Sequence, residues 1–192
     1  MHSNKYFKRE LYRKYIHISS LLIPFSIWYF GKPTVLPFLI ILSIILPLLD
    51  YSRKHSKYIK LFYLKLFEFV TRKNEYKYLT GASWIFISAS LTTLIFKENI
   101  AILSLIILSI SDSFASIVGI RYGTTKLFSK TLEGSIAFFI STNIIFISLT
   151  SLILIKAIFI SISITLIELF SNKINDNLTI PLTAAVLLSL FN

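Results

Sequence analysis

The chain has 192 residues, 55% of them hydrophobic and only 15% charged, with 20 Lys+Arg against 9 Asp+Glu and a formal net charge of +11. Soluble domains carry about 25% charge, so this composition excludes an ordinary soluble globule, and its hydrophobicity excludes disorder. The absence of cysteine removes disulfides, zinc–thiolate sites, iron–sulfur clusters and Cys nucleophiles.

A bilayer core needs about 20 apolar residues per helix. Blocks at 15–30, 34–49, 79–96, 100–120, 134–155, 157–170 and 179–191 predict about seven transmembrane helices in a single membrane-embedded domain, 1–192. The fold class is therefore all-α, a polytopic integral membrane protein. The first block is no cleaved signal peptide, because it lacks a small-residue cleavage site and further spans follow. Just before and within it, Glu10, Arg13, Lys14 and His17 share one helical face. That face either orients phosphates or a general base, or anchors the helix with snorkelling cations and a packed His.

After the second block, Asp50 and Arg53 stand at i, i+3, as a helical ion pair or as part of a nucleotide entrance. Segment 51–77 is too polar to span. Its Ile59, Phe62, Tyr63, Leu66, Phe69 and Val70 recur at helical spacing with lysines between them, which predicts an amphipathic helix on the cytoplasmic interface.

With seven spans, Lys5, Lys8, Arg9, Arg13 and Lys14 fall on one side of the membrane. So do Arg53, Lys54, Lys57, Lys60, Lys65, Arg72, Lys73, Lys77, Arg121, Lys126, Lys130 and Lys173. The other side keeps only Lys32, Lys97 and Lys156 of the 20 cations. The basic side is cytoplasmic, so the N-terminus is inside. A positive excess would suggest nucleic acid in a soluble protein; here it is orientation, and no nucleic-acid partner is expected.

Asp112 interrupts the fourth apolar block. A mid-helix Asp costs about 2.5–3.5 kcal/mol on insertion, against about 0.3–0.6 gained per Leu or Ile. Intramembrane acids are functional candidates by default. Ser116, Gly119 and Gly123 follow on the same face, a small and polar stripe open to a ligand or another backbone. Loop 121–133 then holds Arg121, Lys126 and Lys130, and Thr131, Glu133, Gly134 and Ser135 lead into the next span. Glycines admit main-chain N–H groups to phosphate oxygens, cations neutralise them, and a helix N-terminus favours anions. Acids flanking such a loop suit Mg²⁺, which prefers carboxylates, water and substrate phosphates. The pattern points to a nucleotide triphosphate, although it is not a Walker A motif. Further on, Glu168 invites pairing with Lys173, Asp176-Asn177 reads as a turn or cap, and Thr179 as an N-cap of the last span.

The run Asp112-x-x-Ala115-Ser116-x-x-Gly119-x-x-x-Gly123-x-x-Lys126-x-x-x-Lys130-Thr131-x-Glu133-Gly134-Ser135 resembles the nucleotide-binding motif of one membrane family. That family comprises polyprenol/dolichol kinases, phytol kinases and CTP-dependent diacylglycerol kinases. Glu10-x-x-Arg13-Lys14-x-x-His17, Thr80-Gly81-Ala82, and Glu168 with Asp176-Asn177-x-x-x-Pro181 resemble its other motifs, so the likeness runs from residue 10 to 181. The chain lacks the extra spans of eukaryotic dolichol kinases and is nearer in size to the bacterial, archaeal and phytol-kinase-like members.

The resemblance implies transfer of the γ-phosphoryl group of CTP, or of ATP, to a lipid alcohol (a polyprenol, a phytol-like alcohol or diacylglycerol). It implies Mg²⁺ as cofactor and a prokaryotic cytoplasmic membrane with the site facing the cytoplasm. Asp112, Glu133, Lys130 and His17 become catalytic candidates. Ser116, Gly119, Arg121, Gly123, Lys126, Lys130, Thr131, Gly134, Arg13, Lys14 and Asn177 become nucleotide-binding candidates. Asp112, Glu133, Asp176 and Glu168 become metal ligands. Two alternatives stand beside this reading. One is a phosphatidate cytidylyltransferase, related distantly to that family, although its C-terminal Lys-Asp and Asp-Arg pairs are missing here. The other is a small transporter or assembly subunit without enzymatic activity, for which duplicated halves or broken spans would speak.

Overall fold

The computed structural model describes residues 2–67, 79–171 and 175–191. In chain order they form α1 (His2–Ser19), α2 (Leu22–Phe30), α3 (Lys32–His55), α4 (Lys57–Phe67), α5 (Gly81–Ile95) and α6 (Glu98–Tyr122). A hairpin of β1 (Lys126–Leu127) and β2 (Lys130–Thr131) follows, then α7 (Leu132–Leu149), α8 (Leu154–Phe170) and α9 (Asp176–Phe191).

Helix α6 is the centre. It packs against α7, α9, α1 and α2, and buries Leu105, Ile107, Leu108, Ser111 and Asp112. Its 25 residues extend about 37 Å at 1.5 Å per residue, more than the roughly 30 Å of a hydrocarbon core. Helix α3 is its opposite: Ile41, Ile44, Ile45, Leu48 and Leu49 are exposed on its outer side. Among the described residues, α3, α6 and α7 are long and apolar enough to cross a membrane, and α5 and α9 are shorter apolar helices. Exposed apolar surface on this scale has no use for water and suits lipid chains.

The first predicted span is one apolar block but two helices. Pro24 has no N–H to give the Ser20 carbonyl, which instead accepts from Ile23 N–H at 2.9 Å, and the chain bends between α1 and α2. Gly31, with φ of 81°, then reverses direction within one residue, its N–H capping α2 on the Ile27 carbonyl. Lys32 secures that corner: its N–H donates to Glu98 Oε2 at 2.8 Å and its ammonium to the Phe96 carbonyl at 2.8 Å.

Segment 51–77 divides as well. Helix α3 continues to His55, Ser56 is extended at φ −113°, and α4 follows. Residues 68–77 of the predicted amphipathic stretch lie outside the described residues. Tyr58, Ile59 and Leu61 of α4 are exposed. The predicted span 134–155 ends early, at Leu149, because Thr150 turns extended and its hydroxyl bonds the Phe146 carbonyl at 2.7 Å. The last span begins at Asp176 rather than at Thr179. Thr179 is therefore not an N-cap; its hydroxyl bonds that of Ser171 at 2.9 Å and ties α9 to the end of α8.

The predicted loop 121–133 contains the hairpin, paired Lys126 with Thr131 and Leu127 with Lys130. Phe128 turns it with φ of 54°. Thr131 ends the hairpin and caps α7, its Oγ1 accepting from Gly134 N–H at 3.2 Å.

Candidate functional site

Ionisable side chains from four helices and the hairpin, most of them buried, meet around Asp112 in the second half of α6. From α1, Lys14 Nζ lies 2.5 Å from Asp112 Oδ2. One turn on, His17 Nε2 lies 3.4 Å from the same oxygen and 2.9 Å from Asn177 Oδ1 of α9. From β2, Lys130 Nζ reaches Glu168 Oε1 of α8 at 2.5 Å and Asp176 Oδ2 at 3.5 Å. Ser135 in the first turn of α7 donates to Glu168 Oε2 at 3.4 Å. Asp112, Glu168 and Glu10 are 2–4% exposed, and Lys14, His17 and Asn177 are 7–9% exposed. Lys130 acts electrostatically on Asp112 as well as on its own partners, so the two ion pairs form one network.

The helix periodicity explains the convergence. Lys14 and His17 stand three apart on α1 and look the same way. Asp176 and Asn177 open α9, and Glu168 closes α8. Burial alone would lower the Lys130 pKa, but Asp176 first, then Glu168 and Asp112, outweigh it and hold the ammonium above its ordinary range. Three carboxylates face two ammonium groups. An unpaired charge at this depth would be far costlier than a paired one.

The orientation of His17 follows from its neighbours. Asn177 Nδ2 donates to the Gly81 carbonyl at 3.3 Å. That carbonyl can only accept, so it fixes the amide and turns Oδ1 towards His17. Oδ1 can only accept too, as can Asp112 Oδ2, so Nε2 carries the proton. Nδ1 is buried and has no hydrogen-bond partner among the described residues. In the neutral ring it is a bare lone pair.

The remaining candidates sit elsewhere. Arg13 pairs with Glu10 at 3.1 Å, one turn outside the network. Arg121, Gly123 and Lys126 are exposed at the rim. The glycine stripe is filled by protein. A Cβ on Gly119 would lie 2.8 Å from Thr131 Oγ1, and one on Gly134 would lie 2.8 Å from the Ala115 carbonyl. These glycines, with Ser116 beside them, admit the backbone of α7 to that of α6.

Glu133 holds the loop. Its Oε1 accepts from Thr124 N–H at 3.0 Å, Thr124 Oγ1 at 2.6 Å and Thr125 N–H at 3.1 Å. Its Oε2 is buried without a hydrogen-bond partner among the described residues. The four predicted metal ligands do not assemble into a cage: no group of three or more His, Asp or Glu poised for a metal occurs among the described residues. Asp112 and Glu168 instead face ammonium groups. Of the four, Glu133 keeps a carboxylate oxygen without a hydrogen-bond partner among the described residues, the donor type that Mg²⁺ takes. The predicted Glu168–Lys173 pair involves a residue outside the described ones; Glu168 pairs with Lys130.

The Asp50–Arg53 ion pair read from the sequence forms, and it belongs to a wider network next to Gly81 that the sequence reading did not give. Asp50 Oδ2 accepts from Thr80 N–H at 2.7 Å, Thr80 Oγ1 at 2.9 Å and Ser83 Oγ at 2.6 Å. Arg53 balances Asp50 at 3.3 Å and stacks over the Tyr63 ring at 4.3 Å. The Asp50–Arg53 spacing was the available signal, but the partner across 30 residues was not written in it.

No protein-family model matches the chain, and no solved structure does. CTP-dependent diacylglycerol kinase 1 of Saccharomyces cerevisiae is 32% identical over 138 residues, 69% of this chain and 47% of that protein. The chain thus spans about half the length of that kinase. An uncharacterized protein of Rickettsia prowazekii is 32% identical over 199 aligned residues, 96% of each chain. One of Methanocaldococcus jannaschii is 31% identical over 187, 94% of this chain and 93% of its own. The chain belongs to one family with these two proteins.

Proposed function

We propose that the chain is an integral-membrane lipid kinase that moves the γ-phosphoryl group of CTP to the hydroxyl of a lipid alcohol. One observation carries the reading: the network of Lys14, His17, Asp112, Lys130, Glu168 and Asp176, with Lys14, His17, Asp112 and Glu168 buried, set among apolar helices. The partial identity to a CTP-dependent diacylglycerol kinase supports it, and over the shared stretch supports CTP as donor.

In this reading the chain crosses the bilayer seven times, with α1 and α2 as one bent span and the N-terminus in the cytoplasm. Helix α4 lies on the cytoplasmic interface, its exposed apolar residues in the headgroup region. The nucleotide docks at the hairpin. Arg121 and Lys126 meet its phosphates at the rim, and Lys130 reaches them from β2. Phosphoryl transfer needs positioning and charge neutralisation more than covalent chemistry from the protein.

The lipid alcohol enters sideways between helices, so that its hydroxyl stands beside His17 and Asp112. The hydroxyl oxygen attacks the γ-phosphorus, the bond from that phosphorus to the β–γ bridging oxygen breaks, and CDP leaves with the electron pair. His17 Nδ1 takes the hydroxyl proton, while Asp112 and Asn177 hold the opposite side of the ring. A Mg²⁺ ion arriving with the nucleotide, held through Glu133 Oε2, would neutralise phosphate charge.

Purified protein incubated with γ-labelled CTP or ATP and a panel of polyprenol, phytol-like alcohol and diacylglycerol tests the proposal. The expected products are one labelled lipid monophosphate and unlabelled CDP. In a parallel incubation with phosphatidate and CTP, release of pyrophosphate with formation of CDP-diacylglycerol would instead make the protein a cytidylyltransferase. No transfer to any lipid would end the kinase reading.

A further inference from the structure

Helix α5 begins beside the site without contributing a charged group to it. Its N-cap is Thr80, and its first residue is Gly81, whose carbonyl fixes the Asn177 amide. What holds that first turn is Asp50, on a different helix and 3% exposed. Through one oxygen, Asp50 accepts the Thr80 N–H, the Thr80 hydroxyl and the Ser83 hydroxyl at 2.6–2.9 Å. Thr80 Oγ1 in turn accepts from Ser83 N–H at 3.3 Å. A carboxylate at a helix N-terminus is also favoured by the helix dipole. The route from Asp50 to the site is therefore a short series of contacts: Asp50 to Thr80, the peptide to Gly81, Gly81 to Asn177, Asn177 to His17.

Each step fixes the next by donor and acceptor logic. If the turn at Thr80–Gly81 moves, the Asn177 amide loses the acceptor that orients it. A flipped amide would present Nδ2 to His17, and a donor facing Nε2 would favour the tautomer protonated at Nδ1. The lone pair would then point away from where Nδ1 leaves it.

We propose that Asp50 is a positioning residue that sets the tautomer of His17, acting through the first turn of α5 and Asn177. The structural claim stands by itself; its consequence for rate rests on the kinase reading above. Arg53 pairs with Asp50 at 3.3 Å and fastens α4 to the same corner through Tyr63.

The experiment uses the full chain in detergent with His2→Gln and His55→Gln, so that His17 is the sole histidine. With ¹⁵N-labelled imidazole, protonated and bare nitrogens give well-separated signals. The expected result without further change is a protonated Nε2 and a bare Nδ1. Asp50→Ala should give a mixture of tautomers or the reversed one. Asp50→Asn, which keeps an oxygen for Thr80 and Ser83, should restore the original pattern. Should Asp50→Ala fail to fold, Thr80→Val removes one Asp50 contact and the N-cap together and should also give a mixture.

In parallel kinetics, Asp50→Ala should lower kcat by about ten- to a hundredfold, the range expected when a catalytic group is misplaced slightly. Its KM for CTP should stay within about twofold, since binding at the rim is untouched. An unchanged tautomer in folded Asp50→Ala, or in Thr80→Val, overturns the proposal. Absence of kinase activity in the unsubstituted protein overturns the kinase reading alone, because the tautomer signal is read without turnover.

Discussion

Removing one partner of the Lys14–Asp112 pair gives a direct measure of the network. The two charges are 2.5 Å apart with side chains 11% and 5% exposed. At an effective dielectric of about 20, their gross attraction is about 6–7 kcal/mol. Most of that offsets desolvation, but breaking such a pair from one side costs about 3–5 kcal/mol, because the remaining charge stays buried. For a chain of this length each kcal/mol shifts Tm by about 2–4 °C. Lys14→Met should therefore lower Tm by about 6–20 °C, and Asp112→Asn by a similar amount. The double variant should lose less than either single variant, since neither charge is then stranded, so the coupling should exceed about 3 kcal/mol. Thermal unfolding in detergent, followed by loss of the monodisperse peak, reads all four corners of the cycle. Phosphorylation of the lipid alcohol should be lost in all three variants, recovered stability notwithstanding. Additive thermal shifts would refute the buried pair. Near-normal turnover in Asp112→Asn would refute its catalytic role.

Two further outcomes follow from the hairpin. Lys130 has a folded pKa above the 10.5 of a free lysine, so its stabilisation is fully present below that pH and is lost as pH rises through the higher folded value. The Tm difference between the parent and Lys130→Met should be constant from pH 7 to about 10 and shrink above that; a difference that grows with pH would contradict the pairing with Glu168 and Asp176. Gly134→Ala would set a Cβ 2.8 Å from the Ala115 carbonyl and 3.0 Å from Thr131 Oγ1. Overpacking against backbone costs about 1–3 kcal/mol, so Tm should fall by about 2–12 °C, and a Tm equal to that of the parent would show that α6 and α7 are not in close contact.

Hydropathy located most helices because insertion into lipid depends on block composition, which is a local property. The block covering α6 matched within two residues at each end, as 100–120 against Glu98–Tyr122. Breaks within apolar blocks escaped it. The bend before α2 leaves hydropathy unchanged, and Pro24 was its only mark. Residues 150–153 are apolar or small, so the end of α7 was hidden as well. The hairpin has strands of two residues, too short to show a period of two. Its turn is made by Phe128 in a conformation that glycine or asparagine ordinarily marks.

The site was legible as a set of residue types and illegible as a set of pairs. Lys14 and Asp112 stand 98 residues apart, and the identity of an ion-pair partner depends on which helices touch. The glycine stripe shows how the two kinds of information differ. Small residues at Gly119 and Gly123 signalled that something approaches α6 closely, and a phosphate and a backbone both met that description. The approach is made by Thr131 and Gly134. Thr131 adjoins Lys130, so the depth at which Thr131 seats against α6 fixes where the neighbouring ammonium enters the network of Glu168, Asp176 and Asp112. Methyl groups on α6 would lift the hairpin and withdraw that cation. The glycines can thus govern the charge of the site without touching any ligand.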